Sequence, residues 1–478
     1  MLSKYIILHL TMEELSVLEK KELPISLPLK KLIGPSFILL GLGLGSGEII
    51  LWPYLVANWG LGIIWGVLLG ITFQFVMNME IERYSLVNGE SIFVGFARKF
   101  GRIAPVWFIA STLLPWIWPG IIAASSQILA NLFGLGDHKL LAIILLLLIG
   151  LALTIGPTLY TTVENFQKYL ITLGVPFILL LVILTLRSHH VVELLQGFVG
   201  IGQGYNFLPT AMPIASFLAA FAYTGAGGNL NLAQSFYVKE KGYAMGIYSG
   251  KITSLLTGKP ENIKLEGATF EKTPANLAEF KRWWKNVNLE HAVVFWGAGF
   301  ITIILLALLS FANVYGQPGV ESGINFIILE ASILGEKISP FVRLAFLGVT
   351  GVFLFATQLT VLDATSRIMS ENLIIFSKKK FSIRSLPKFY YSFLWIQICA
   401  GVVIFLAGVG EPLLLLTISA ILNAVAMLVH IGATLRLNTT TLHNQLKPSK
   451  IRIGVMTLAF IFFAGFSLFT ILQRLGVL

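Results

Sequence analysis

Apolar stretches of about 20 residues follow one another along most of this chain, and stretches of that length decide its solvent first. Eleven can be read, at approximately 33–57, 61–82, 104–132, 139–158, 162–186, 212–236, 290–314, 340–372, 389–409, 411–434 and 452–475. Each is long enough for an α-helix to cross a hydrocarbon core of roughly 30 Å. None alternates with period two, which excludes the strands of a membrane barrel. Of the 478 residues only 12% are charged and 56% are hydrophobic, with mean hydropathy +0.82. A soluble domain carries about 25% charged residues, so this chain has too little polar surface to face water on all sides. The class is all-α, polytopic and solvated by a lipid bilayer.

The net charge of +11 would suit nucleic acid, but the basic residues sit in short loops between apolar runs. That distribution reads as control of topology, and no nucleic-acid partner is expected. With the N-terminus in the cytoplasm, only Lys139, Arg187, Lys337, Arg343 and Arg474 of the 34 Lys and Arg fall outside. The remainder, Lys4, Lys251, Lys259 and Lys379 among them, fall inside. An odd number of spans then places the C-terminus outside, in what reads as a prokaryotic plasma membrane. The opening residues lack the long apolar core and small-residue cleavage site of a signal peptide. The lone Cys399 excludes an internal disulfide.

The expected organisation is a cytoplasmic segment 1–32, a first five-helix repeat 33–186 and an external loop 187–211. A second repeat follows at 212–434, with a cytoplasmic loop 237–289, and then a link and peripheral eleventh helix at 435–478. The loop carries Gly258-Lys-Pro-Glu and a helix near Ala275–Lys285. A short external helix is expected over Phe326–Leu334.

Two spans carry unusual glycine clusters. The first contains Leu40-Gly-Leu-Gly-Leu-Gly-Ser-Gly-Glu48 and the sixth contains Tyr223-Thr-Gly-Ala-Gly-Gly-Asn229. Each glycine costs a helix about 1 kcal/mol relative to alanine, so both spans are expected to be interrupted near mid-membrane. Gly41/Gly45 and Gly43/Gly47 are also GxxxG pairs, the pattern of close helix packing. Unwound backbone at that depth is tolerated only beside protein or a water-filled cavity, where carbonyls can take a cation. Glu48 stands at the first cluster, and a carboxylate at the membrane centre usually faces such a cavity. Breaks in the first and sixth of ten helices are what a five-plus-five inverted repeat predicts. No strand–helix–strand unit surrounds either run, so neither is a nucleotide loop.

These residues resemble the Nramp (natural resistance-associated macrophage protein) metal-ion transporters. The likeness lies in Gly34-Pro-Ser-Phe, the first-span break, the Gln74 region, Asn88-Gly-Glu, Asn229-Leu-Asn-Leu and Gln234-Ser. A branch of that family is marked by Gly-Ser-Gly-Glu and by Thr357-Gln-Leu-Thr-Val-Leu-Asp363. The resemblance implies the LeuT-type inverted-repeat fold and transport of a metal ion. The chain departs from the family at the chemistry. The family's Asp-Pro-Gly-Asn is replaced by Gly45, Ser46, Gly47 and Glu48, and its Met-Pro-His by Ala226, Gly227 and Gly228. The third span holds Ser125, Ser126 and Gln127 where the family has acidic residues.

The candidate substrate site is therefore Gly45, Ser46, Gly47, Glu48, Tyr223, Thr224, Gly225, Ala226 and Asn229. Glu48 is the one candidate metal ligand. Without a thioether the set suits a hard divalent cation such as Mg²⁺ or Mn²⁺. It equally suits a small organic solute carried with a proton or monovalent cation. No resident cofactor is expected, and no clustered His, Asp or Cys suggests an enzyme. Asp363 and Arg367 are spaced to pair, and with Gln358 and Asn78 they are the candidate coupling or gating residues. Thr357 and Thr360 could line the pathway, and Gln74, Asn78 and Glu82 form a polar stripe on the second span. His189 and His190 read as an exposed external pair, and His291 and His430 as interfacial residues. Trp107, Trp116, Trp118, Trp283 and Trp284 include interface anchors. The expected mechanism is alternating access by a monomer, the broken helices rocking against spans three, four, eight and nine.

Overall fold

The computed structural model describes residues 15–32, 34–155, 159–249, 264–320, 323–378 and 380–474. Lys4, Lys251, Lys259, Lys379 and the Gly258-Lys-Pro-Glu turn lie outside the described residues. In chain order the main helices are α1 (Pro35–Trp59), α2 (Leu61–Asn88), α3 (Ile103–Phe133), α4 (His138–Ile155) and α5 (Leu159–Thr185). Then come α6 (Ile214–Ala222), α7 (Gln234–Lys241), α8 (Pro274–Val314), α9 (Asn325–Lys337) and α10 (Pro340–Phe376). The last three are α11 (Leu386–Leu406), α12 (Pro412–Thr441) and α13 (Lys450–Arg474).

Among the described residues, 10 helices are long and apolar enough to cross a membrane, one fewer than the sequence suggests. The missing span is the sixth. It is split into α6 and α7, neither of which can cross a bilayer alone, because Gly227 and Gly228 adopt positive φ of 75° and 55° between them. Only glycine reaches that backbone region without strain, so the sequence terminates the helix there.

Local chemistry sets the other boundaries. The Ser339 hydroxyl accepts the Val342 N–H at the start of α10, and the Glu411 carboxylate accepts the N–H groups of Leu413 and Leu414 at the start of α12. Pro340 and Pro412 fill the first turn, where no N–H is required. Helix α8 begins well before the apolar run at 290, capped by Thr273, and its extension is fixed by Trp283. The Trp283 indole N–H donates to the Pro24 carbonyl at 2.7 Å, tying α8 to the N-terminal segment. That segment also pairs with the loop through two short parallel strands, β1 (Glu19–Lys20) and β2 (Ala268–Thr269). The short helix expected over Phe326–Leu334 is present as α9.

The helices divide by what solvates them. In the most apolar stretch of α1, 94% of residues are buried, against 28% in α5 and in α13. Protein therefore surrounds α1 and leaves α5 and α13 to lipid. Helices α3, α4, α10 and α11 pack on one another as one group, whereas α1 packs on α8, and α12 on α3 and α6.

Helix α1 departs from expectation in an informative way. It does not unwind at the glycine cluster. It runs as α-helix to Gly43, widens into a π-helix over Leu44–Leu51, and resumes as α-helix at Trp52. The glycines are consumed by contact. A methyl on Gly47 would lie 1.6 Å from the Tyr223 carbonyl oxygen, and one on Gly43 would lie 2.7 Å from the Gly225 carbonyl. The opposite pair, Gly41 and Gly45, meets Gln167 of α5 and Thr357 of α10. Two GxxxG faces thus pack α1 between the interruption of the sixth span on one side and α5 and α10 on the other. Gly47→Ala should lower the thermal unfolding midpoint in detergent, an overpacking cost of about 1–3 kcal/mol or more. Gly454→Ala on α13, where an added methyl meets nothing within 4 Å, should be neutral or stabilising by about 1 kcal/mol. Equal midpoints for the two variants would contradict the close approach.

Candidate functional site

The site forms where the π-helical turn of α1 meets the gap between α6 and α7. Where α6 ends, its last carbonyls lose their partners in the helix. Gln74 of α2 splints the gap: its side-chain Nε2 donates to the Ala222 carbonyl at 3.1 Å, and its Oε1 accepts the Gly227 N–H at 3.4 Å. The Tyr223 carbonyl lies against Gly47 instead. One side-chain amide therefore serves both edges of the break, which is why the gap can persist in an apolar surrounding.

The other side chains of the break are held firmly. The Tyr223 hydroxyl shares a hydrogen bond with Ser419 and accepts one from Asn423, both at 2.8 Å, and its ring stacks on Trp116 at 5.6 Å. The Thr224 hydroxyl accepts from the Trp52 indole at 3.0 Å and donates to the Ala220 carbonyl. Asn229 donates to Ser111 and Thr112 of α3 at 2.8 and 3.0 Å, and its carbonyl meets His430 of α12 at 3.4 Å. Ala226 is buried and Gly225 lies against Gln74 and Phe295. These groups brace the gap, and their polar atoms are already occupied.

Glu48 differs. It is completely buried, and among the described residues neither of its carboxylate oxygens has a hydrogen-bond partner. One of them lies 3.7 Å from where a methyl on Gly299 of α8 would stand. An ionised carboxylate in such a place is strongly disfavoured without a compensating charge or donors. The Ser46 hydroxyl is also buried without a partner. Ser46 and Glu48 both lie on the π-helical turn Leu44–Leu51. Asn78, one turn along α2 from Gln74, has both amide atoms unpartnered among the described residues. Hydrogen bonding between helices thus accounts for Gln74 and not for Asn78. Among the described residues, no three His, Cys, Asp or Glu side chains converge as a metal centre would require.

Asp363 and Arg367 do pair, with the guanidinium Nε 2.9 Å from both carboxylate oxygens. Arg367 also bonds Glu240 of α7, and Tyr390 of α11 donates to Asp363 at 2.8 Å. Three consecutive residues of α7 reach three partners: Lys239 to Glu371 at 3.6 Å, Glu240 to Arg367, and Lys241 to Glu164 of α5 at 2.8 Å. These pairs clamp the basic end of the molecule. Gln358 is buried on α10, beside the Thr357 that donates to the Gly41 carbonyl at 3.0 Å. Thr360 accepts from Gln167.

Several residues read as interfacial are interior. His430 is fully buried between Asn229 and Met77, and His291 is fully buried and bonded to Ser36. Trp116 and Trp283 are buried. His190, expected to be exposed with His189, is also buried, and burial beside Phe311 holds its imidazole below the ordinary histidine range, whereas His189 is exposed. Position near a helix end fixed their depth but not the face on which they lie. Ser419, Asn423 and Trp52 were not singled out in the sequence. Nothing in a helix-forming run distinguishes the residue that will meet a break 200 positions away.

No family model matches the chain, and no curated protein matches it in sequence. Solved structures do. The chain is similar to a single-site mutant of the Eremococcus coleocola manganese transporter, with TM-score 0.68 and 14% identity over 96% of this chain and 91% of that one. It is similar to Mhp1, a nucleobase-cation-symport-1 family transporter with bromovinylhydantoin bound, with TM-score 0.51 and 14% identity over 95% and 93%. It is also similar to MhsT in complex with L-phenylalanine, with TM-score 0.50 and 14% identity over 89% and 97%. The fold is LeuT-type. Within this fold the interrupted sixth span is α6–α7, and α1 is the helix packed against it.

Gln74→Leu keeps most of the side-chain volume but leaves the Ala222 carbonyl and Gly227 N–H without partners. The expected loss is about 1–3 kcal/mol per orphaned group, read as a lower unfolding midpoint in detergent. A midpoint equal to that of the parent chain would remove Gln74 as the splint.

Proposed function

We propose that this chain is a secondary active transporter working by alternating access, with a cation taken up at Glu48. The observation that carries the reading is the pairing of an unpartnered, fully buried carboxylate with a helix interruption in a LeuT-type fold. A carboxylate without donors or counter-charge, set against irregular backbone deep in the molecule, is the arrangement a cation completes. The group of α3, α4, α10 and α11 serves as scaffold, and α1, α2, α6, α7 and α8 move against it. The contacts of α7 with α5 and α10 close the basic end, which faces the cytoplasm, with the C-terminus outside. The protein works as a monomer in a prokaryotic plasma membrane.

In the first reading the cation at Glu48 is the cargo, a hard divalent ion such as Mn²⁺ or Mg²⁺ that keeps part of its water and takes oxygen ligands. Similarity to the manganese transporter supports it. In the second, the cation or proton at Glu48 drives uptake of a small organic solute bound beside the break. The absence of a three-ligand cluster among the described residues favours this second reading, as do the bromovinylhydantoin and L-phenylalanine complexes of similar proteins.

Uptake into liposomes containing the purified chain discriminates, using labelled Mn²⁺, Mg²⁺, L-phenylalanine and a hydantoin with and without an inward proton gradient. One class should be taken up saturably, and Glu48→Gln should reduce that uptake about tenfold or more, equivalent to at least about 1.4 kcal/mol of binding free energy. Saturable uptake unchanged by Glu48→Gln would remove the carboxylate from the mechanism.

A further inference from the structure

A second set of buried acidic groups lies toward the basic end of the molecule. Glu82 stands one turn beyond Asn78 on α2, and Glu290 lies on α8 nine residues before Gly299, the residue beside Glu48. Seven of the residues between them form a π-helical stretch, Ala292–Ala298, so Glu290 stands about two helical turns from Gly299, toward the start of α8. Glu82 and Glu290 are both buried on helices that pack on each other, with the Arg83 guanidinium of α2 3.8 Å from the Trp284 ring of α8, and neither forms an ion pair among the described residues. The Ser36 hydroxyl bonds Glu290 at 2.5 Å and the His291 Nδ1 at 2.7 Å, and Gln234 of α7 donates to Glu82 at 3.5 Å.

The set is conspicuously incomplete. Among the described residues one oxygen of Glu82, one of Glu290, the Nε2 of His291 and the Oε1 of Gln234 are buried without a partner, as are both amide atoms of Asn78 one turn nearer the break. Buried polar atoms are almost always satisfied, so this many on neighbouring side chains marks a place built to receive something. The nearest cations do not fill it. Lys168 and Lys241 are both bound to Glu164, at 2.5 and 2.8 Å, and Arg452 faces His291 from α13 while bonding Glu80. Tyr243, the remaining titratable group facing the pair, donates to the Leu32 carbonyl. Among the described residues no three acidic or histidine groups here converge to hold a metal ion, whereas two buried carboxyl groups that interact take up and release protons as a coupled pair.

We propose that Glu82 and Glu290, supported by Ser36 and Gln234, form a proton-exchange station, distinct from Glu48, at which protons enter or leave the transport cycle on the basic side. The station rests on the transporter reading for its role, but its existence can be tested without a substrate. Helix α3, which holds no Asp or Glu, cannot supply such a station, and the Gln74–Asn78–Glu82 stripe joins it to the break.

The test is infrared difference spectroscopy on the purified full chain in detergent, titrated from acid to mildly alkaline buffer in sodium and in choline salts. A carboxylic-acid band should titrate in both salts. Glu82→Gln and Glu290→Gln should each move the midpoint of the same component, because the carboxyl group left behind titrates without its partner, the double variant should abolish it, and Glu48→Gln should leave it in place. Ser36→Ala should move its midpoint. A component unmoved in both single glutamine variants would overturn the proposal, as would its loss in Glu48→Gln alone. A change driven by sodium at fixed pH would assign a metal cation and overturn the proton. Should a glutamine variant not fold, Glu82→Asp must shift the midpoint, and an unmoved midpoint overturns the station. A chain that carries none of the uptake probes yet shows the paired band would fail as the transporter described above and still possess the station.

Discussion

The structure depends on one backbone-to-backbone contact. Gly43 and Gly47 present a bare face of α1 to the peptide groups of Tyr223–Gly225, closer than any side chain would permit. A gap in a helix inside a membrane has to be covered by protein, because lipid offers its open carbonyls and N–H groups nothing. A helix without side chains on one face covers it closely, and Gln74 supplies the hydrogen bonds that the cover itself cannot. Glu48 is carried into the interior by the same turn that makes the contact. The position of the carboxylate and the persistence of the gap are therefore consequences of one packing solution.

Much of this was legible in the residues. The all-α membrane class, the interruption of the sixth span, the short helix over Phe326–Leu334, the Asp363–Arg367 pair and the LeuT-type fold follow from hydrophobic length, glycine clustering, charge spacing and resemblance. The two glycine clusters nevertheless behave differently for a reason that composition does not reveal. In Tyr223–Asn229 the glycines are adjacent, and two of them sit at positive φ, which ends a helix. In Gly41–Gly47 they alternate, which places them on two helix faces, and each face found a partner that offsets the propensity cost. The first span thus widened into a π-helix where unwinding was expected. Helix propensity is local, and the partners Gln167, Thr357 and Tyr223 are more than a hundred residues away in sequence.

The histidines and tryptophans misread as interfacial share a cause. Depth in the membrane follows from distance to a helix end, but orientation follows from which neighbour the helix meets. His430 and Trp116 turn inward because α12 and α3 brace the break, through Asn229 and Tyr223 respectively. The same bracing explains why Thr224, Asn229 and the Tyr223 hydroxyl, chosen as ligands from their chemistry, have their polar atoms already engaged. Among the described residues the unpartnered atoms include both carboxylate oxygens of Glu48 at the gap and, toward the basic end, one oxygen each of Glu82 and Glu290. Between these groups and the solvent stand the three charges of α7, paired to α10 and α5. In the transporter proposed here those pairs separate when the basic end opens, and α7 with the glycines that precede it is the proposed gate.

The claim on which the account stands is that a cation belongs at Glu48. Thermal denaturation of the purified chain across monovalent cations, divalent cations and pH measures it directly, because a ligand that binds the folded state alone stabilises it in proportion to its occupancy. The account predicts that at least one cation, or the proton, raises the midpoint of the parent chain and fails to do so in Glu48→Gln. Stabilisation by every such ion that survives intact in Glu48→Gln would contradict it.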